Sequence, residues 1–375
     1  MMIPVSQPTL GPTERALVNE CFDRNQLTYG PKVQQFEKEF AAYLNIPHVL
    51  AVSSGTTALH LVLAALGIGP GDEVIVPDLT FVATANAVHY TGATVVLADI
   101  DPVTWCMDVK DAERKITTRT RAIIPVHLYG VAANMPDILS LASSVSPGLF
   151  VIEDAAEGLG GTHSAGFPLG TMSLAGTFSF YGNKVLTTGE GGAVCTYSEA
   201  LRDKMYSLRG QAMDPARRFF HIDVGYNYRM TDMQAAVGLG QLTHLEDMLE
   251  ARRKIFLAYD EGLYDVGYTP CVHPDVAPWL FTLLLHKSER RDDLMFHLAE
   301  HGIETRPAFV PMHRMPMYRA FDSEFPNACK VGDGGISLPT FPELPLEQVE
   351  RICSLVRTHT QISSDSSRSK TTRIS

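Results

Sequence analysis

Between about residues 35 and 200, short apolar runs alternate with stretches of helical periodicity. Asp72–Pro77 (DEVIVP), Thr94–Asp99 (TVVLAD), Ala122–His127 (AIIPVH) and Leu149–Asp154 (LFVIED) read as buried strands. Each is short, rich in β-branched residues and bounded by Gly, Pro or Asp. Phe81–Tyr90 and Val109–Ile116, which lie between them, read as helices, and Thr57–Leu66 (TALHLVLAAL) as a compact apolar helix. Strand, helix and strand at this spacing predict crossover connections, and hence an α/β fold with a mostly parallel sheet between helices. Gly176–Tyr181 and Gly192–Tyr197 add two strands across a Gly-rich loop, and Thr231–Arg253 predicts one long helix with Thr231 as N-cap. After about residue 254 the alternation stops. Trp279–His286 reads as a strand and Glu289–His301 as a helix closed by Gly302, which predicts a smaller α+β domain. The expected division is a large domain over 1–250, a small one over 251–362, and a tail over 363–375. That tail is nearly all Ser, Thr and charge, so it is expected to be disordered.

Composition narrows the function. Apolar residues make up 45% of the 375, enough for a sizeable core. The net charge of −11, from 31 Lys plus Arg against 42 Asp plus Glu, argues against nucleic acid as a partner. The six cysteines lie far apart with no Cys-x-x-Cys pair, which fits a reducing cytoplasm better than a disulfide scaffold or zinc ribbon. The opening MMIPVSQPTLGP reads as lacking a secretory leader, and no apolar run reaches the length of a membrane span. No metal site is expected. No G-x-G-x-x-G follows the first strand, so a nicotinamide enzyme has little support.

Four local patterns carry candidate chemistry. Ser53-Ser54-Gly55-Thr56-Thr57 opens an apolar helix, where free amides and the helix dipole suit a phosphate. Glu153-Asp154-Ala155-Ala156-Glu157 sits at the end of a strand, where α/β sheets bind ligands. Lys184 lies between an apolar strand and the Gly-rich run 188–192, an odd place for a surface charge. Gly225–Thr231 (GYNYRMT) is aromatic and polar just before a helix start. Each alone has an ordinary reading as a cap, a solvated charge or a loop. Together they match what pyridoxal phosphate (PLP) needs. Gly55 and Thr56 serve the phosphate, Phe81 a ring face, Asp154 the pyridine nitrogen, and Lys184 the aldehyde.

The sequence resembles the PLP-dependent sugar aminotransferases of the DegT/DnrJ/EryC1/StrS family, of fold type I. The likeness runs from about Ile3 to residue 355. It is carried by SSGTTALHL at 53–61, GDEVIVPDLTFVATANAV at 71–88, PVHLYG at 125–130, IEDAAEGLGG at 152–161, FSFYGNK at 178–184, TTGEGG at 187–192 and GYNYRMTDMQAA at 225–236. The resemblance implies that Lys184 carries PLP, that Asp154 pairs with its ring nitrogen, and that Phe81 stacks on the ring. Gly55, Thr56 and Ser179 would bind the phosphate, and Asn227 would reach the phosphate of the neighbouring subunit of a homodimer with shared sites. Glu157 stands where many members carry Gln against the ring oxygen, a departure from the commonest pattern. The implied substrates are L-glutamate and a nucleotide-linked keto-sugar. The run Glu304–Tyr318 (ETRPAFVPMHRMPMY) and Tyr181 lean toward members that aminate C4 of GDP-4-keto-6-deoxy-D-mannose. A UDP- or dTDP-linked keto-sugar is the alternative. Both substrates are anionic, and Arg229, Arg306 and His313 are the candidates for recognising them. Relatives that dehydrate sugars carry histidine in place of the lysine, so Lys184 argues for transamination. With Asp154, it also argues against a non-catalytic binding regulator.

Overall fold

The computed structural model describes residues 2–145 and 148–371, with side chains up to residue 360. Seven strands form one sheet: β1 (His48–Val52), β2 (Glu73–Pro77), β3 (Thr94–Ala98), β4 (Thr120–Ile123), β5 (Phe150–Asp154), β6 (Ala175–Ser179) and β7 (Gly192–Thr196). Their order is β1-β7-β6-β5-β4-β2-β3. Pairing is parallel from β3 across to β6, whereas β7 is antiparallel to both neighbours. Six strands therefore share one direction and their carboxyl ends lie along one edge of the sheet.

Both faces of this sheet are buried, and strand alternation divides its side chains between them. Leu50, Val52, Val74, Val76, Ile124 and Val194 join one core cluster, which includes the helix Gly55–Ala65. Val49, Ala51, Ile75, Ile123 and Val151 join the other, with the helices Pro31–Leu44 and Leu245–Leu263. In the second cluster Phe40 packs edge-on to Phe178 and Phe180, each at 5.3 Å between ring centres, and stacks on Phe36 at 5.7 Å. These contacts pin the end of β6 and the start of the segment that carries Lys184.

Four short strands form a second, antiparallel sheet ordered β10-β11-β9-β8. They are β8 (Gly267–Tyr268), β9 (Thr282–Leu285), β10 (Arg306–Pro307) and β11 (Gly335–Ser337).

Several elements depart from the pattern-based reading. The single helix expected over Thr231–Arg253 is two, Asp232–Leu242 and Leu245–Leu263. Thr231 caps the first as expected, its Oγ1 accepting from the Gln234 amide. The break follows Gly238 and Gly240, and the Thr243 hydroxyl back-bonds to the Gly240 carbonyl at 2.6 Å. The strand expected over Ala122–His127 ends at Ile123, because Pro125 has no amide to donate. Trp279–Phe281 precede β9 rather than opening it. The last helix is Leu346–Thr371. Val349, Ile352, Cys353 and Val356 bury its first turns against the core. Residues 372–375 lie outside the described residues.

Phe40→Ala should therefore cost roughly 3–5 kcal/mol, as for other fully buried aromatics. A urea titration would read this as a lowered unfolding midpoint. A loss below about 1 kcal/mol would mean that the ring cluster is not the clamp described.

Candidate active site

A cavity of about 450 Å³ opens at the carboxyl edge of the large sheet. This is where an open α/β sheet binds its ligands, because crossover loops splay apart there. β5 ends in Asp154, β6 ends in Ser179, and the loop to β7 carries Asn183 and Lys184. Thr80, Phe81 and Thr84 follow β2, while Trp279, Arg306 and Phe309 come from the region of the second sheet.

Three ionisable groups lie at the heart of the cavity. Asp154 is buried and accepts hydrogen bonds from the Thr84 hydroxyl (2.8 Å) and the Ala156 amide (3.1 Å). Burial raises its carboxyl above the ordinary value against the pull of these bonds. Glu157 is also buried, and its Oε2 accepts from the Tyr129 amide at 2.7 Å. Burial pushes it up to about 7 even though Lys184 opposes the shift. Lys184 Nζ stands 3.7 Å from Glu157 Oε1 and 3.8 Å above the Trp279 ring. Desolvation pulls its ammonium down from 10.5, and the two acids only partly restore it. An amine so placed gives up its proton more readily than one in water.

The helix Gly55–Ala65 points its N-terminus at the same cavity. Ser54 caps it by accepting from the Thr57 amide at 3.1 Å. The amides of Gly55 and Thr56 have no partner among the described residues. A Cβ on Gly55 would come within 2.8 Å of Ser179 Cβ, so only glycine lets this helix end approach β6 so closely. The result is a small cradle of free amides and a serine hydroxyl.

The remaining expected residues divide. Phe81 lines the cavity, 6.0 Å from Phe309. Arg306 lines it too, with Glu304 3.8 Å away. Asn227 and Arg229 are exposed and do not line the cavity of their own chain. Asn227 Oδ1 accepts from Arg229 Nη2 at 3.1 Å. His313 corrects an expectation. It is fully buried away from the cavity, with Nδ1 2.6 Å from Asp78 Oδ2 and Nε2 3.0 Å from Asp322 Oδ1. Its ring stacks on Phe325. Both ring nitrogens face carboxylates, so His313 ties residues 312–325 to the end of β2 and has no atom left for a substrate.

Pattern reading also missed wall residues. Tyr129 adopts φ +51, an uncommon conformation for a bulky side chain, and is fully buried. Its ring stacks between Trp279 (6.1 Å) and Phe309 (5.4 Å), and its hydroxyl accepts from the Phe309 amide at 3.0 Å. Trp279 donates its indole N–H to the Asn183 carbonyl at 2.9 Å. Tyr129 and Asn183 lay inside the quoted motifs PVHLYG and FSFYGNK, and Trp279 is one of only two tryptophans.

Comparison with known proteins accounts for this arrangement. Residues 8–357 match the sequence profile of the DegT/DnrJ/EryC1/StrS aminotransferase family. The chain belongs to that family. It is a PLP-dependent aminotransferase of fold type I. A GDP-perosamine synthase of Escherichia coli O157:H7 is 44% identical over 94% of this chain and 97% of its own. One from Caulobacter vibrioides is 45% identical over 93% and 96%. The solved Streptococcus pneumoniae protein Spr1654, in its PMP form, superposes with a TM-score of 0.94 at 26% identity, covering 98% of this chain and all of that one. The cavity fits PLP on its own chemistry. A buried acid, a desolvated lysine and a cradle of unpaired amides match the three polar ends of that cofactor.

The raised Glu157 has a consequence for stability. The folded chain holds this proton to higher pH than the unfolded chain does. The group therefore stabilises the fold below its ordinary 4.5, and that contribution is lost as pH rises through about 7. Glu157→Gln removes the loss. The melting temperature of the cofactor-free variant, relative to the unaltered protein, should climb between pH 5 and pH 8. A constant difference across that range would contradict the assignment.

Proposed function

We propose that the chain moves the amino group of L-glutamate to C4 of GDP-4-keto-6-deoxy-D-mannose. The observation that carries this reading is its 44–45% identity, over nearly the full length of both chains, to proteins named GDP-perosamine synthase. That likeness sits on a cavity whose lysine and two acids suit amino transfer.

PLP, when bound, supplies an electron sink that stabilises negative charge at an amino-acid α-carbon. The protein's own groups do the rest. Lys184 would hold the cofactor, and its amine is placed to carry a proton to and from the substrate carbon as general base and acid. Its lowered ammonium pKa suits that exchange. Asp154 would keep the ring nitrogen protonated by charge pairing, and the bonds from Thr84 and Ala156 fix its orientation. Glu157 would meet the ring oxygen. Gly55, Thr56 and Ser179 take the phosphate, where helix amides and dipole favour an anion. Phe81 covers the ring and Arg306 meets a carboxylate or phosphate at the mouth. Glutamate and keto-sugar use one site in turn, so the kinetics are ping-pong.

The working unit in this reading is a homodimer. Asn227, which lies outside the cavity of its own chain, would reach the partner's phosphate site as the family resemblance implies, and Arg229 hydrogen-bonds to it. Nearby Phe219 and Val224 are 76% and 83% exposed, an apolar surface that a second copy would cover. The placement is cytoplasmic, supported by six free cysteines. Among the described residues, no helix is long and apolar enough to cross a membrane.

Two measurements test these points. With glutamate as donor, kcat/KM for the GDP-linked keto-sugar should exceed that for UDP- and dTDP-linked ones by roughly tenfold or more. Faster turnover of a UDP or dTDP substrate would overturn the choice of nucleotide and leave the aminotransferase. Separately, Lys184→Ala and Asn227→Ala should each lose activity. Co-folding the two variants should restore part of it, because one site of the mixed dimer has both native groups. No recovery in a verified mixed dimer would exclude shared sites.

A further inference from the structure

We infer that Trp279 is a positioning residue: its indole face is where the amine of Lys184 rests, as an ammonium, whenever it is not joined to the cofactor. The geometry is direct. Lys184 Nζ stands 3.8 Å above the Trp279 ring. Trp279 is 3% exposed and the Lys184 side chain 13%, so water does little to solvate a charge at this point. Among aromatic rings a tryptophan face attracts a cation most strongly, and the attraction grows as water is excluded.

The ring is held for this contact. Its N–H donates to the Asn183 carbonyl at 2.9 Å, which ties the indole edge to the residue next to the lysine. That carbonyl also accepts from the Ser6 hydroxyl at 3.3 Å. Tyr129 stacks on the indole at 6.1 Å, with the two planes 13° apart. The N–H is thus satisfied by backbone, and the face of the ring is what Trp279 offers the amine. Packing alone needs bulk here and does not need a π face turned to a lysine.

Three charged groups also act on the amine. Glu157 lies 3.7 Å from Nζ and Asp154 attracts it as well, whereas burial and the Arg306 guanidinium favour its neutral form. In the reading proposed above, on which this inference rests, both acids have other duties, Asp154 at the ring nitrogen and Glu157 at the ring oxygen. With the cofactor bound they have less to give a free lysine. The indole face has no such second duty. An ammonium without a partner in a dry cavity is costly, and a group that hands a proton back and forth must return to one place each time.

The test separates the face of the ring from its bulk and its N–H. Trp279→Phe and Trp279→Leu both lose the N–H, and only Phe keeps a π face. Treating the holoenzyme with glutamate frees Lys184. Its amine is then titrated by NMR of isotope-labelled lysine, the signal being identified by its loss in Lys184→Ala. In Trp279→Leu the midpoint should fall by roughly 0.5–1.5 pH units, because the ammonium has lost its partner. Trp279→Phe should recover about half of that shift or more. Retention of the cofactor on dialysis should be the same in both variants as in the unaltered enzyme. An unchanged or raised midpoint in Trp279→Leu, equal shifts in the two variants, or loss of the cofactor would each overturn the assignment. If Lys184→Ala still holds the cofactor covalently, the reading of Lys184 fails instead, and the same titration in the cofactor-free chain still decides the role of Trp279.

Discussion

The site depends on keeping three ionisable side chains dry at one edge of a sheet. In water Asp154, Glu157 and Lys184 would all be charged and unremarkable. In the cavity each is pushed toward its neutral form, and their mutual attraction only partly opposes this. Such a set can pass protons near neutral pH, and a lysine that loses its proton readily can act as both nucleophile and base.

The large sheet supplies the floor. Six co-directional strands put the end of β5, the end of β6 and the turn after β2 within reach of one another. The second sheet supplies the wall. Tyr129 joins the two: its amide holds Glu157, its hydroxyl holds the Phe309 amide, and its ring lies between Trp279 and Phe309. A left-handed backbone at a bulky, buried residue costs free energy, and it persists because these contacts over-determine it.

Much of this was legible in the sequence. The alternation of strands and helices pointed to the α/β class, a strand end marked Asp154, and the family resemblance pointed to Ser179. Gly55, Thr56, Phe81, Lys184 and Arg306 were found where residue type and position agreed, and all line one cavity. The misses share a cause. Trp279 and Tyr129 are recognisable only through packing between segments 150 residues apart, which no local pattern encodes. His313 was misread for the converse reason. A histidine in a polar run looks available, and only the fold reveals that Asp78 and Asp322 occupy both its nitrogens. The Thr231–Arg253 helix was read as unbroken because its apolar period continues across a break made by glycines and a back-bonding threonine.

The size of the cavity divides the labour of recognition. A volume of about 450 Å³ lies in the lower half of the range for small-molecule sites. In the reading proposed above, the cofactor and the sugar ring share that space, and the nucleotide lies outside it. The enzyme thus grips only the tip of its substrate where bonds change, as a lathe holds a rod by one end. On that reading the handle is met by surface outside the cavity. Changing the nucleotide then changes contacts outside the cavity and leaves Asp154, Glu157 and Lys184 untouched.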